Sequence, residues 1–98
     1  MSDTSIKSKN VSKVDKPSMY KVIFHNDDYT PAILVTDLLK KYFGKTTDQA
    51  NAITNAIHKG NKGIAGAYTK DIAETKAAGA RAEARTKGSP LKISVEKE

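Results

Sequence analysis

The chain has 98 residues, with 17 Lys and Arg against 11 Asp and Glu, a formal charge of +6, and neither Cys nor Trp. That length fits one small domain, and the missing cysteines exclude a disulfide framework, a thiolate metal site and a thiol nucleophile. Ile, Leu, Val and Phe make up about a fifth of the sequence, near the composition at which a charged chain fails to fold, so any core is thin and helped by alanine. No apolar run approaches the roughly 20 residues of a membrane span, and the N-terminus lacks the apolar region of a secretory signal. A soluble, cytoplasmic, single-domain protein is expected.

Residues 1–16 (MSDTSIKSKNVSKVDK) are rich in Ser, Lys and Asn, and Ile6, Val11 and Val14 fit neither a helical stripe nor a sustained alternation. Such a segment cannot repay its ordering entropy, which predicts a flexible extension. Its Lys7, Lys9, Lys13 and Lys16 are either solvated or available to an acidic partner.

Folding is expected from Pro17 onward. The β-branched and aromatic run Met19–His25 predicts a strand, and Asn26-Asp27-Asp28-Tyr29 breaks it with turn formers. Thr30-Pro31 reads as a helix start, with Thr30 as N-cap and Pro31 at the first helical position. Leu34, Val35, Leu38, Leu39, Tyr42 and Phe43 then share one helical face, and Gly44 suits the C-terminal left-handed turn.

A second helix opens on the capping box Thr46-Thr47-Asp48-Gln49, with a buried face of Ala50, Ile53, Thr54, Ile57 and His58, and closes at Gly60. Lys62–Tyr68 predicts a short strand in which Gly63 and Gly66 signal a bulge or a close backbone approach. Thr69 can cap a third helix running from Lys70 to about Lys87. Its small inner face is Ile72, Ala73, Ala77, Ala80 and Ala84, and Gly88 and Pro90 end it. Leu91–Val95 alternates apolar and polar residues like an antiparallel strand with one wet face. The order β-α-α-β-α-β predicts an α+β fold: a three-stranded, mostly antiparallel sheet with its three helices on one face. The domain is expected to span residues 17–98.

His25 and His58 are the only side chains that shuttle protons near neutral pH at their ordinary pKa. No zinc-binding H-E-x-x-H, P-loop or dinucleotide fingerprint is present, and Asn26-Asp27-Asp28 lacks the alternation, the Gly and the distal Glu of a calcium loop. An enzyme is not expected. Asp28 and Thr30 read as caps of the first helix. Asn26 and Asp27 are left to present acceptors, and a carboxylate holds a compact ammonium through charge-assisted hydrogen bonds. His58 alone reads as a partly buried imidazole favoured by the C-terminal end of its helix.

The stretches PSMYKVIFHNDDYTP and AIHKGNKGIAGAYTKDIAETK closely resemble the ClpS family, bacterial adaptors that hand N-degron substrates to the ClpAP protease. The likeness runs from about Pro17 to Glu96. It implies that a substrate's free α-amino group is held by Asn26, Asp27 and His58, which inverts the reading of His58 taken alone. It also implies that the substrate's first side chain enters an apolar pocket of Thr30, Ala32, Val35, Thr54, Ile57 and Leu91. Docking onto the N-terminal domain of the ClpA unfoldase is implied for a distant surface that includes Asp71 and Lys76, with Glu74 and Tyr29. The extension 1–16 would assist delivery. No catalytic residue, metal or cofactor is implied, and a monomer without specific nucleic-acid or membrane binding is expected.

Two positions depart from the family pattern. Typical members carry Met where this chain has Ala32 and Thr54, so the pocket is expected to be wider and slightly more polar. Two other readings stay open from the residues alone. The net charge also suits a small nucleic-acid or ribosome binder, although no Lys/Arg stripe interleaves with stacking rings. A ClpA-docking decoy without cargo binding is the other.

Overall fold

The structure, a computed structural model, describes residues 17–98; the expectation of a flexible extension over 1–16 lies outside the described residues. Six elements follow in the expected order: β1 (Met19–His25), α1 (Ala32–Phe43), α2 (Thr47–Gly60), β2 (Lys62–Thr69), α3 (Lys70–Thr86) and β3 (Lys92–Lys97). The sheet order is β2-β1-β3, and β1 pairs antiparallel with both neighbours. The central strand is the most apolar of the three, as a strand flanked on both edges must be.

Alternation along β1 sorts its side chains. Val22 and Phe24 are fully buried in the core cluster with the helices, and Ile23 points to the opposite face. There Ile23 is shielded by its cross-strand partners Ile64 and Ser94. Between Val22↔Gly66 and Ile23↔Ile64 the register slips by one residue, leaving Ala65 as the extra residue of a bulge. Gly63 marks the close approach: a Cβ there would lie 2.8 Å from Ile57 Cγ1, so α2 can rest on β2 only where the strand has no side chain. Both glycine signals are accounted for by this one region.

On α1 the predicted stripe is buried except for Tyr42, which is half-buried, and Phe43 packs edge-on against Phe24 with ring centroids 5.5 Å apart. Gly44 takes the left-handed conformation at φ 63°. The α2 capping box is complete: Gln49 N donates to Thr46 Oγ1 at 3.1 Å and Thr46 N to Gln49 Oε1 at 3.0 Å. α3 presents Ala73, Ala77, Ala80 and Ala84, all fully buried, so it lies close against the sheet and α1. Ile72 departs from expectation and is 49% exposed. The seam against α3 is only one methyl wide and is centred on the alanines, which rotates Ile72 out of it.

Four local expectations are corrected. Thr30 does not cap α1; Pro31 is the N-cap, and its carbonyl accepts from Leu34 N and Val35 N. The hydroxyl and N–H of Thr30 are already spent elsewhere, and Pro31 has no N–H to lose. At the end of α2, Asn61 rather than Gly60 takes the left-handed position, at φ 72°. Thr69 sits at the N-cap of α3 but makes no side-chain cap. His58 is exposed rather than buried with the α2 face.

Candidate functional site

The chain leaves β1 through Asn26, whose N–H donates to Asn61 O at 2.7 Å. This bond ties the β1–α1 loop to the end of α2 and brings two segments 35 positions apart to one spot. Asp27 then folds the loop onto itself. Its Oδ1 accepts from the N–H groups of Tyr29 and Thr30, each at 2.7 Å, and its Oδ2 accepts from Thr30 Oγ1 at 2.8 Å. Asp27, not Asp28, is therefore the residue that holds this turn.

The donors behind Asp27 come from far along the chain. Thr30 spends its one hydroxyl proton on Asp27, so in its 2.6 Å contact with Ser89 the serine is the donor. Ser89 Oγ in turn accepts from Leu91 N at 3.0 Å. The result is a one-way relay, Leu91 N–H to Ser89 to Thr30 to the Asp27 carboxylate, in which every proton points toward the negative charge. Ser89 is only 5% exposed, and the Arg85 guanidinium fixes its loop by donating to the carbonyls of Ser89 and Leu91 at 2.9 Å each. Burial alone would raise the Asp27 pKa, but the hydrogen bonds from Thr30 and Tyr29, with the Arg85 charge, hold it below the ordinary value. Asp27 is a fixed anion.

Beside this anion opens a cavity of about 470 Å³. Asn26, Asp27 and His58 line it together with Thr30, Ala32, Val35, Thr54 and Ile57. The structure thus brings together, around one space, all three residues expected for an α-amino group and five of the six expected for a side chain. Leu91 is the exception. It is fully buried in the core and does not line the cavity; its N–H starts the relay. Asp28, expected as a helix cap that it does not make, and Asn55, which was not singled out, also line the cavity. Ser89 and Arg85 were missed as supports, and Gly-Ser-Pro after a helix gives no local signal that its serine is buried.

Of the four residues expected for docking, Asp71, Glu74 and Lys76 lie on α3, whereas Tyr29 stands in the site's own loop. None of Tyr29, Asp71, Glu74 and Lys76 lines the cavity. Asp71 and Glu74 are exposed on the first turns of α3, and Tyr29 is 80% exposed in the loop. Lys76 is half-buried and has structural work: it donates to Tyr42 O at 3.1 Å and sits 5.2 Å from the centre of the Tyr68 ring. Among the described residues no cluster of His, Asp or Glu is arranged to hold a metal ion, and no helix is long and apolar enough to cross a membrane.

An acidic loop joined to an apolar hollow at a helix end is a shape that comparison with known proteins can place. The family model described as ATP-dependent Clp protease adaptor protein ClpS matches residues 15–94. The ClpS adapter of Desulforapulum autotrophicum is 45% identical over 102 residues, spanning 100% of this chain and 98% of that protein. That of Nitratidesulfovibrio vulgaris (strain DP4) is 49% identical over 80 residues, 82% of this chain and 77% of that protein. Agrobacterium tumefaciens ClpS2, solved bound to L-phenylalaninamide, superposes with a TM-score of 0.82 at 36% identity, over 85% of this chain and 100% of that one. With a matching family model over most of its length and relatives near half identity, the chain belongs to the ClpS family of ATP-dependent Clp protease adaptor proteins.

Proposed function

We propose that this adaptor works by binding alone: it captures polypeptides through their free N-terminal ammonium and a bulky hydrophobic first side chain. It then presents them to the ClpAP protease through the N-terminal domain of ClpA. In this reading Asp27 neutralises the ammonium, Asn26 and His58 complete its hydrogen bonds, and Val35, Ile57 and Ala32 receive the side chain. The observation that carries it is the joining of a fixed carboxylate to an apolar hollow in one cavity. The phenylalaninamide on Agrobacterium tumefaciens ClpS2 supports it, since that molecule combines a free α-amine with a hydrophobic side chain.

The relay leaves Asp27 fit for this role. A carboxylate offers about four lone-pair sites, and the turn uses three of them, so Oδ2 keeps capacity for a ligand N–H. Hydrogen bonds to a charged group contribute about 1.5–3 kcal/mol each, and burying a Phe-sized side chain about 1.5–3 kcal/mol. Three polar contacts with the pocket reach about 6–12 kcal/mol before association costs, which suits micromolar capture that can be released. The test is a peptide beginning with Phe or Leu against its N-acetylated twin. The free amine should bind at least tenfold more tightly, and equal affinity refutes the reading.

A further inference from the structure

The cavity has a low wall on one side. Ala32, Thr54 and Asn55 line it, and the same three residues line a neighbouring groove of about 530 Å³ between α1 and α2. At this seam Ala32 offers one methyl, Thr54 a short branched chain and Asn55 an amide, so the wall the two spaces share is built of short side chains. Beyond it the groove turns polar, with Thr36, Asp37 and Asn51 along its sides.

The seam carries an acceptor with capacity to spare. Thr36 Oγ1 donates to Ala32 O at 3.1 Å, Thr54 Oγ1 donates to Ala50 O at 2.8 Å, and the two hydroxyls lie 3.2 Å apart. Two hydroxyl protons cannot fill all three contacts at once. Within the pair at most one lone pair accepts, so the others face whatever enters the groove. A first side chain that reaches the seam with an O–H or N–H at its tip satisfies them. One that ends in a bare C–H covers them without a partner, which costs affinity. The way in passes the apolar Val35 and Ile57, and the groove beyond also carries Asp37 and Lys40.

We propose that the first-residue pocket runs through into the α1–α2 groove and that the Thr36–Thr54 hydroxyl pair selects first side chains ending in a hydrogen-bond donor. The phenol of tyrosine is the simplest. This rests on the amine-binding reading above, and its test keeps the two separable.

The experiment compares peptides identical except for their first residue, Tyr, 4-methylphenylalanine or Phe, together with N-acetylated Tyr. 4-Methylphenylalanine fills the space of tyrosine without the hydroxyl. The full chain should bind the Tyr peptide about fivefold more tightly than the 4-methylphenylalanine peptide, the range of one neutral hydrogen bond. In Thr54→Val the two should become equal. Thr36→Val, which lines only the groove, should repeat the result and serves in place of Thr54→Val if that variant does not fold. A ratio of one or less in the unaltered protein overturns the proposal, as does a ratio that survives in either folded variant. Should the acetylated Tyr peptide bind as well as the free one, the amine-binding reading fails. If amine dependence holds and the ratio is flat, only the hydroxyl selection fails.

Discussion

Asp27→Asn separates charge from shape at the site. The amide oxygen can still accept from Tyr29 N and Thr30 N, now at 2.7 Å each, so the turn keeps its geometry. Those two bonds fall from charged to neutral strength. The new amide N–H₂ also faces Thr30 Oγ1, so Thr30 accepts where it donated and one hydroxyl proton of the Thr30–Ser89 pair loses its acceptor. With Ser89 buried, we expect a stability loss of about 1–3 kcal/mol, visible as a melting temperature lower by several degrees. The ligand effect is larger in ratio. A charge-assisted bond worth about 1.5–3 kcal/mol is replaced by a donor facing an ammonium, which predicts a loss of about 10- to 150-fold. Fluorescence anisotropy with a Phe-initiated peptide, well below both melting temperatures, measures it. The acetylated twin should lose little, so the gap between the two peptides should nearly close. A folded Asp27→Asn protein that binds within threefold of the unaltered one, and still distinguishes free from blocked amines, refutes the assignment of Asp27.

Other outcomes follow from the same geometry. Because the Asp27 carboxyl is held below its ordinary pKa, its stabilisation is complete above the unfolded value near 4 and is lost as pH falls through the folded one; thermal melts between pH 5 and 3 should steepen with acid, and less so in Asp27→Asn. Burial, with Lys92 and Lys62 beside it, lowers the His25 pKa against the opposing pull of Glu96. The unfolded chain therefore takes up a proton near pH 6.5 that the fold resists, and stability should decline as pH drops from 7.5 to 5.5, with His25→Gln flattening that slope. Gly63→Ala drives a methyl to 2.8 Å from Ile57 Cγ1; it should cost about 1–3 kcal/mol and weaken binding of a Phe peptide, because Ile57 is a pocket wall. Asp71→Ala should leave peptide affinity within twofold and weaken association with the isolated N-terminal domain of ClpA, as surface plasmon resonance can show; unchanged association removes Asp71 from the docking surface.

Elements with local signals were legible. The capping box at Thr46 and Gln49, the glycine at the end of α1 and the apolar run of β1 each act over a few residues, and the structure reproduces them. Readings failed where the deciding partner lay far away in sequence. Thr30 looks like a helix cap, but Asp27, three residues before it, takes its proton, and the partner that completes its bonding, Ser89, follows 59 later. Ile72 shares a broad stripe with the alanines of α3 on a helical wheel, but the sheet approaches that stripe so closely that only methyl groups fit. His58 shares the expected face with its neighbour Ile57, yet Ile57 is buried and His58 exposed, a boundary that periodicity does not report.

The site divides along the same line. Its acceptors, Asn26 and Asp27, stand together in the sequence and could be read as a place for an ammonium. The donors that touch Asp27 belong to its own loop, Tyr29 N, Thr30 N and Thr30 Oγ1, but those behind Thr30, Ser89 and the Leu91 N–H, come from the segment after α3. This arrangement determines what binding costs. A free carboxylate on a loop would surrender its rotamer freedom on meeting a ligand, about 0.5–1.5 kcal/mol for an ordered side chain. Here folding has already spent that entropy, and has charged the group by aligning dipoles on it from one side only. The other side, left open toward the cavity, is where a positive ligand gains most. The segment between α3 and β3 touches no ligand in the proposed mode and acts on Asp27 only through Thr30.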